Sequence, residues 1–548
     1  MESGAASAKI KEFLKLGTNG KHESHLERDL HRLVRKYFGI PDLIYPAKVI
    51  VRQKGSSAIG REKLLHFLLP HEFFGMLAEK HPDQYRETFG LDSQREFWAN
   101  MFEAKSEWLD QHPLRINIEE SSGHAVGYRL FGDDTGLNKG ADRPATIVTW
   151  TAEGCDLPVW FSRLPILVLP VHWCLADVTI QDCHAIITWS LNCLAMGRYP
   201  HVDHTGAPFP ANSHRGKLAG KPLTPEGDFA VVTASMADWK WNADHYHFPQ
   251  KYSTDELCQR CCATKHSGPH DFARFDRDCP RRAHGDYIKS EAAKRAPLTK
   301  VCGWHLSIVH PEVMHGGPLG HLQSMNGSLL KDLADSGVWG EGGPGAWDLT
   351  LGTVLSRAFD DFAAWSKVNK KEHNQPRFTV AKLSLKSKKS FPYLKGKAHN
   401  SLVITEWLAT LVSVHNSGSH YHNLRECVAW SWNTFFTMLR SAKTFLSDSE
   451  MATVAKCEPL MFKGFAALEK IAFEQRKPLF KMLPKIHLMF EALIDIYDSR
   501  KNPCSQWAFG DEDSMMKLAR IAAKCHGASV DRRTLERWLL QYLCELVF

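Results

Sequence analysis

The chain has 548 residues, of which 43% are hydrophobic, and its 68 Lys and Arg against 61 Asp and Glu give a formal net charge of +7. This length exceeds one compact domain of usual size, so we expect about two to four structural units with sizeable cores. The mild basic excess is compatible with a polyanionic partner but does not demand one. The 14 cysteines lack the regular spacing of a secreted disulfide framework, which predicts reduced thiols.

Two features predict an intracellular protein with no membrane partner. The N-terminus lacks the basic, apolar and small-residue succession of a secretory signal. The longest apolar stretch, residues 157–176, is interrupted by three prolines, an arginine and a histidine. It therefore predicts buried strands rather than a transmembrane helix.

Residues 1–118 are predicted to form an all-α N-terminal region. Apolar residues recur at spacings of three and four in HESHLERDLHRLVRKYF, KLLHFLLPHEFFGMLAEK and SQREFWANMFEAKSEWL, which is typical of amphipathic helices. Between the first two patterns lies a basic, glycine-bearing segment, AKVIVRQKGSSAIGREK. It is interpreted as a solvated loop or, alternatively, as a phosphate contact through Arg52, Lys54 and Arg61.

Residues 119–249 favour a sheet. AVGYRLFGDD, PATIVTWTAE and PVWFSRLPILVLPV are rich in aliphatic and aromatic residues and are separated by turn signals, which predicts three antiparallel strands. A helical pattern follows in VTIQDCHAIITWSLNCLAMG, and DFAVVTASMADWKWN predicts another strand. Three strands, a helix and a further strand is the order in which a ribonuclease-H-like sheet is built. We therefore expect an α+β fold with a ribonuclease-H-like mixed sheet whose first part is this range.

The remaining residues are predicted to form an insertion and helices. Residues 250–300 are rich in Arg, Lys, His and Cys and poor in aliphatic residues, so we expect a basic insertion, disordered or tied by metal. Residues 301–480 carry helical patterns and form a helical insertion region. Residues 481–548 are also helical and are expected to complete the core. The sheet is thus flanked by an all-α N-terminal region and a long helical C-terminal region.

Two aspartates follow predicted strands. Asp133 lies in RLFGDDTGLNKG, and Asp238 follows the strand that precedes WKWN. Carboxylates at the ends of neighbouring strands can converge on two divalent ions, which activate water and stabilise the leaving oxygen in phosphodiester chemistry. The alternative is that each aspartate bonds its own backbone in a turn.

Five segments carry a resemblance to a known family. They are FGDDTGLNKG, MADWKWN followed by YSTDELCQRCCATK, HPEVMHGGPLGH, LPKIHLMFEAL and WAFGDEDSMMKLAR. Over roughly residues 120–526 the chain resembles CACTA-type (En/Spm-type) transposases, in which such segments occur in this order. The resemblance implies metal-dependent DNA cleavage and strand transfer, as in DNA recombination by a transposable element. It also implies DNA as the partner, a homo-oligomer and a nuclear location.

The resemblance assigns roles to particular residues. Asp133, Asp238 and Glu512 correspond to the family's three catalytic acids, which hold two Mg2+ or Mn2+ ions. His315 corresponds to the motif histidine, and Glu312 stands where the family has aspartate. That departure leaves open a catalytically inactive, transposon-derived DNA-binding or scaffold protein, so enzyme activity stays undecided. A protein-interaction module that works through the helical C-terminus is a third hypothesis. Three neighbouring acids stay open as alternative ligands: Asp134, Asp511 and Asp513.

A cysteine pair in the insertion favours zinc. Cys258 and Cys261 form a CxxC, and three histidines and another cysteine follow shortly after it. Thiolate and imidazole suit tetrahedral zinc, which can tie a segment that has no apolar core. No second CxxC or well-spaced His pair completes the site, so reduced structural cysteines stay the alternative. The candidate partners are His266, His270, Cys279 and His284.

Three further sets of residues have two interpretations each. Trp239 and Trp241 either stack on an unpaired base or pack in the core. In the family a Pro-Lys-x-His element precedes the last acid, which places Lys485 and His487 near the site, although a helix-opening proline and a core histidine explain them too. The insertion's arginines either bind phosphate or belong to a solvated loop. These arginines are Arg274, Arg277, Arg281 and Arg282.

Overall fold

The structure is a computed structural model with a mixed α+β fold, which confirms the expected fold class at this level. No helix within the described residues is long and apolar enough to cross a membrane. The residues that the structure describes are 32–33, 42–56, 58–104, 106–136, 144–265, 268–341 and 346–545.

The N-terminal region is not all-α, and that prediction is wrong. β1 (Ile44–Arg52) and β2 (Gly60–Leu68) form an antiparallel hairpin, so the basic segment contributes to two strands and their turn. The predicted helix over KLLHFLLP fails because burial alternates along its first residues. Leu65 and Phe67 are buried while Leu64 is 49% exposed, and a period of two is the strand period.

Five helices follow the hairpin. Proline opens the first two, where its fixed φ suits a helix and its missing N–H costs nothing. The predicted helix HESHLERDLHRLVRKYF lies outside the described residues apart from residues 32–33. The five helices are α1 (Pro70–Lys80), α2 (Pro82–Thr88), α3 (Leu91–Glu103), α4 (Glu107–Asp110) and α5 (Arg115–Glu120).

A four-stranded sheet follows these helices. Its strands are β3 (Ala125–Gly136), β4 (Pro144–Ala152), β5 (Leu164–Pro170) and β6 (Phe229–Ala237). They lie in the order β5-β4-β3-β6, with β3/β4 and β4/β5 antiparallel and β3/β6 parallel. Buried residues run without alternation along most of each strand, as in sheets covered on both faces. The three predicted antiparallel strands and the later fourth strand are confirmed.

Helices lie between several of these strands, and another helix follows directly after β6. α6 (Val159–Ser162) lies between β4 and β5, while α7 (Thr179–Met196) and α8 (His214–Leu218) precede β6. α7 is the predicted helix and packs against β6. β6 does not continue through MADWKWN as predicted, because the side chain of Asp238 caps a new helix, α9 (Trp239–His245).

Residues 250–300 contain only short helices among those described, whereas longer helices dominate from residue 322 onward. Short 3₁₀ segments occupy Val171–Trp173, Phe272–Arg274, Pro297–Lys300, Leu306–Ile308, Pro503–Gln506 and Gly527–Ser529. π-Helical turns occupy Gly317–His321 and Leu460–Gly464. The remaining helices are α10 (His284–Lys289), α11 (Glu291–Arg295), α12 (Val313–Gly316), α13 (Leu322–Asp335), α14 (Trp347–Val368), α15 (Ala398–Val414), α16 (His420–Ser441), α17 (Asp448–Pro459), α18 (Phe465–Glu474), α19 (Lys485–Ser499), α20 (Phe509–Ala522) and α21 (Val530–Glu545).

Two hydrophobic cores organise these elements. One joins the sheet and the hairpin to the last two helices, through residues such as Met515 and Trp538. The other lies among helices α13 to α19 and includes Phe272 and Cys258 of the insertion. The chain therefore leaves the sheet after β6, builds a helical unit, and returns to the sheet with α20.

Candidate functional site

The parallel pair β3/β6 places two acids at one edge of the sheet. Gly132 pairs with Ala237 at the end of their register, so the next residues are Asp133, still within β3, and Asp238, directly after β6. The indole of Trp241 lies over Gly132, where a Cβ would approach it to 2.1 Å. Only glycine fits there, and its contact with α9 fixes the position from which Asp133 projects.

The third acid comes from the other end of the chain. Glu512 lies in the first turn of α20, which packs against β3. Asp133, His315 and Glu512 each present a possible ligand atom, and these three atoms lie within 4.8 Å of one another. The fold thus brings together residues that the sequence separates by most of its length.

Glu312 and His315 hold this arrangement from behind. Glu312 is 3% exposed, and its carboxylate accepts hydrogen bonds from the backbone N–H groups of Met314 (2.9 Å) and His315 (2.7 Å). It also accepts from the His315 ring Nδ1 (2.7 Å) and from the N–H of Ala508 (2.9 Å), immediately before α20. Glu312 therefore ties α12 to the helix that carries Glu512 and orients the imidazole.

His315 bridges two carboxylates. Its Nδ1 donates to Glu312, and its Nε2 lies 3.4 Å from Oε1 of Glu512. Burial lowers the pKa of His315, but hydrogen bonds and charges from Glu312 and Glu512 outweigh it and raise this pKa to about 10. The imidazolium is thus the positive partner of both acids.

The carboxylate of Asp133 is electrostatically crowded. Burial, followed by the charge of Asp238, raises the pKa of Asp133 to about 7, with Glu512 adding to the rise and His315 opposing it. Its Oδ1 also accepts a 2.7 Å hydrogen bond from the N–H of Asp134. Like charges gathered at one point favour a bound cation.

Asp238 takes a different position from the other two acids. Its Oδ1 accepts a 2.6 Å hydrogen bond from the N–H of Trp241 as the cap of α9. It lies outside the group of three converging ligand atoms, although its charge reaches Asp133. Asp133 and Asp238 thus each use one carboxylate oxygen to accept a hydrogen bond from a nearby backbone N–H, as the alternative interpretation expects.

The three neighbouring acids that the sequence left open have other partners. Asp134 accepts a 2.6 Å hydrogen bond from the hydroxyl of Thr146 on β4. Asp511 is buried and lies 3.5 Å from the guanidinium of Arg163. Asp513 forms a 2.9 Å ion pair with Lys517 one turn later. Asp133 and Glu512 are therefore the members of each group that face the site.

A cavity of about 650 Å³ opens beside these acids. Its lining includes Asp238, Glu312 and His315, as well as Trp239 and Gln259, but neither Asp133 nor Glu512. Trp239 Nε1 and Gln259 Oε1 are buried and have no hydrogen-bond partner among the described residues. Four lysines also line it, which gives the cavity a cationic wall: Lys240, Lys265, Lys481 and Lys485.

The resemblance places both Lys485 and His487 near the acids, but in the structure these two side chains lie in different places. Lys485 lines the cavity, and its Nζ lies 3.4 Å from the carbonyl of Leu319. His487 is buried, as in the alternative interpretation of a core histidine, because two residues along a helix turn a side chain to a different face. His487 instead lies 3.3 Å from Sγ of Cys261.

The cysteine pair acquires partners that the sequence did not reveal. Cys258 and Cys261 lie close to His487 and Glu491 of α19. His487 is 226 residues beyond Cys261 in the sequence. Burial raises the pKa of Cys258, but hydrogen bonds from Cys261 and the charge of His487 lower it to about 5. The candidates His270 and His284 are not in this group, and His266 lies outside the described residues.

Three of the four arginines proposed to bind phosphate are occupied by internal carboxylates. Arg281 forms two 2.8 Å hydrogen bonds to Glu491. Arg277 pairs with Glu458 at 2.5 Å and Arg282 with Glu256 at 2.8 Å. Each of these three arginines therefore already has a carboxylate partner, and phosphate binding by them stays a prediction. Arg274 is exposed and donates to the carbonyl of Pro269.

No family model matches this chain, and no curated protein matches it. Its function must therefore be inferred from the residues that the fold assembles.

Proposed function

We propose that this protein is a transposase-like enzyme that cleaves DNA phosphodiester bonds and performs strand transfer with divalent metal ions. The observation that carries the proposal is the convergence of Asp133 and Glu512 within 4.8 Å, with Asp238 on the adjacent strand. In this proposal the three acids hold Mg2+ or Mn2+.

The sheet supports a ribonuclease-H-like core within this proposal. The order β5-β4-β3-β6 joins three antiparallel strands to a fourth that is parallel to the first of them. The acids follow the paired ends of the central strand and its parallel neighbour, and the helix with the third acid packs on that central strand. Carboxylates thereby gather at one edge of a rigid sheet.

The donor set fits the proposed ions. Mg2+ and Mn2+ prefer oxygen ligands, and these acids supply carboxylate oxygens that repel one another when no cation is bound. Ions bound there would activate a water molecule and stabilise the leaving oxygen of the phosphodiester. Two residues of the chain position the acids. Glu312 orients His315, and both residues fix Glu512 relative to Asp133.

The lysines of the adjacent cavity support DNA as the substrate. Lys265, Lys481 and Lys485 line it, whereas Lys240, which lines it too, pairs with Asp244 at 3.0 Å. Ammonium groups bind phosphates without reading sequence and release counterions, so affinity should fall with salt. The proposal includes the homo-oligomer and nuclear location that the resemblance implies.

A second candidate is a catalytically inactive DNA-binding or scaffold protein. One observation favours it: Asp238 caps α9 and lies outside the group of three ligand atoms. If Asp238 stays outside that group when metal and DNA are present, only two acids remain for the ions.

Cleavage of a labelled duplex with Mg2+ or Mn2+ tests the proposal. Wild type should nick or cut the duplex, while Asp133→Ala, Asp238→Asn and Glu512→Gln should lose this activity and keep DNA binding. Asp513→Asn is the matched control, because Asp513 neighbours Glu512 but pairs with Lys517. DNA retention without cleavage under either ion would favour the inactive protein, and activity that survives in all three variants would overturn the metal-site assignment.

A further inference from the structure

A second group of metal-ligating side chains lies apart from the three acids. It contains Cys258 and Cys261 from the insertion and His487 and Glu491 from α19. Their possible ligand atoms lie within 4.8 Å of one another, and each residue is at most 4% exposed. Cys261 Sγ and His487 Nε2 lie 3.3 Å apart. Four donors of this kind facing one point in the interior match a closed structural metal site.

Local geometry presents each pair to the same point. His487 and Glu491 are four residues apart on α19, so they lie on one face of the helix. Cys258 and Cys261 lie in a turn closed by the hydrogen bond from Leu257 N–H to the Ala263 carbonyl. Within that turn the N–H of Arg260 donates to Cys258 Sγ at 3.3 Å, which stabilises negative charge on sulfur.

The surrounding charges suit a cation bound to thiolates and a carboxylate. Two thiolates and Glu491 would carry one negative charge more than Zn2+ supplies, and cationic groups stand beside them. Arg281 binds Glu491 with two 2.8 Å hydrogen bonds, and Arg260 Nε lies 3.7 Å from the same carboxylate. Such outer partners fix the orientation of a ligating carboxylate.

We propose that Cys258, Cys261, His487 and Glu491 bind one structural Zn2+ that fastens the insertion to α19. Sulfur and imidazole donors favour zinc over the oxygen-seeking ions proposed for the acids. Cys279 lies outside the four-atom group, so Glu491 takes the fourth position.

This clamp would also shape the cavity beside the acids. Gln259, between the two cysteines, lines that cavity, and Lys485 at the start of α19 lines it too. A metal joining these two segments fixes one wall of the cavity relative to the other. The zinc site does not depend on DNA cleavage and would stand in a catalytically inactive protein.

Metal content of the purified full chain tests the site. Inductively coupled plasma mass spectrometry should find one zinc per wild-type chain, and Cys258→Ser and His487→Ala should each lose it. Asp133→Ala must retain zinc, which separates this site from the acids. Cys457→Ser is the matched control, because Cys457 is a buried thiol outside the group. A wild-type chain with no zinc after expression in zinc-supplemented medium would overturn the proposal.

Cobalt substitution gives a readout that does not rely on any variant. Co2+ replacing zinc in wild type should give the intense visible bands of a tetrahedral ion and the near-ultraviolet band of thiolate ligation. Absence of both, in a chain that binds Co2+ elsewhere, would overturn the site.

Glu491→Gln should weaken zinc retention against a chelator at least tenfold, while Cys279→Ser should not. The reverse result would overturn Glu491 as the fourth ligand.

Discussion

Replacing Glu312 by glutamine should loosen the link between α12 and α20. The carboxylate accepts four hydrogen bonds, two of them from His315. In Glu312→Gln the amide NH2 would face a backbone N–H on one side, and the imidazolium would lose its buried counter-charge. Removing one partner of a buried ion pair costs about 3–5 kcal/mol. We expect a loss of this size in the free energy of unfolding.

Urea-induced unfolding followed by tryptophan fluorescence measures this loss. Glu312→Asp keeps the charge but is one methylene shorter, so it should cost only about 1–2 kcal/mol through weakened hydrogen bonds. Glu474→Gln, at an exposed position, is the control and should unfold like wild type. A Glu312→Gln protein with the wild-type urea midpoint would refute the assignment of Glu312 as the residue that ties the two helices.

Two further predictions concern the sheet. Gly132→Ala places a methyl group 2.1 Å from Trp241, so it should destabilise the protein by about 1–3 kcal/mol. Thermal unfolding should show this, and an unchanged melting temperature would contradict the close packing over Asp133. Burial raises the pKa of Glu153, but the charges of Lys501 and Arg129 outweigh it and lower this pKa to about 2. Because the folded pKa is depressed, wild type should lose roughly 3 kcal/mol between about pH 4.5 and 2. Glu153→Gln should lose less over that window in acid-dependent urea titrations, and an identical pH profile would contradict the pairing.

The four strands of the main sheet were predictable because their composition records burial on both faces. β5 is an unbroken apolar run, and β3, β4 and β6 are rich in aliphatic, aromatic and β-branched residues between turn signals. β2 was missed because its apolar residues run directly into those of α1 across Pro70. β2 forms a strand because it pairs with β1, and the periodicity of one segment does not show which other segment it pairs with.

The candidate site was predictable as a set of positions but not as a geometry. Asp133 could be placed at a strand end, yet its choice over Asp134 depends on Thr146 of the neighbouring strand. Glu512 rather than Asp511 is available to the site because Arg163, which is distant in sequence, lies beside Asp511. Such selections depend on tertiary contacts that a single sequence does not show.

Long-range partners also explain the positions of two further sets of side chains. For His487 the sequence left a core histidine and a residue near the acids as alternatives, and the fold buries it beside Cys261. The arginines of the insertion were read as phosphate ligands from their density alone. The acids that neutralise Arg277 and Arg281 lie on α17 and α19, where no local pattern connects them to the insertion.

Anomalous diffraction from crystals soaked in Mn2+ tests the central claim most directly, because it locates the ion. We predict a manganese peak with carboxylate oxygens of Asp133 and Glu512 about 2.0–2.6 Å away, and Asp238 turned from its cap towards the same ion. The peak should be absent from crystals of Asp133→Ala. Wild-type crystals with no manganese peak between these acids would contradict the metal-dependent account.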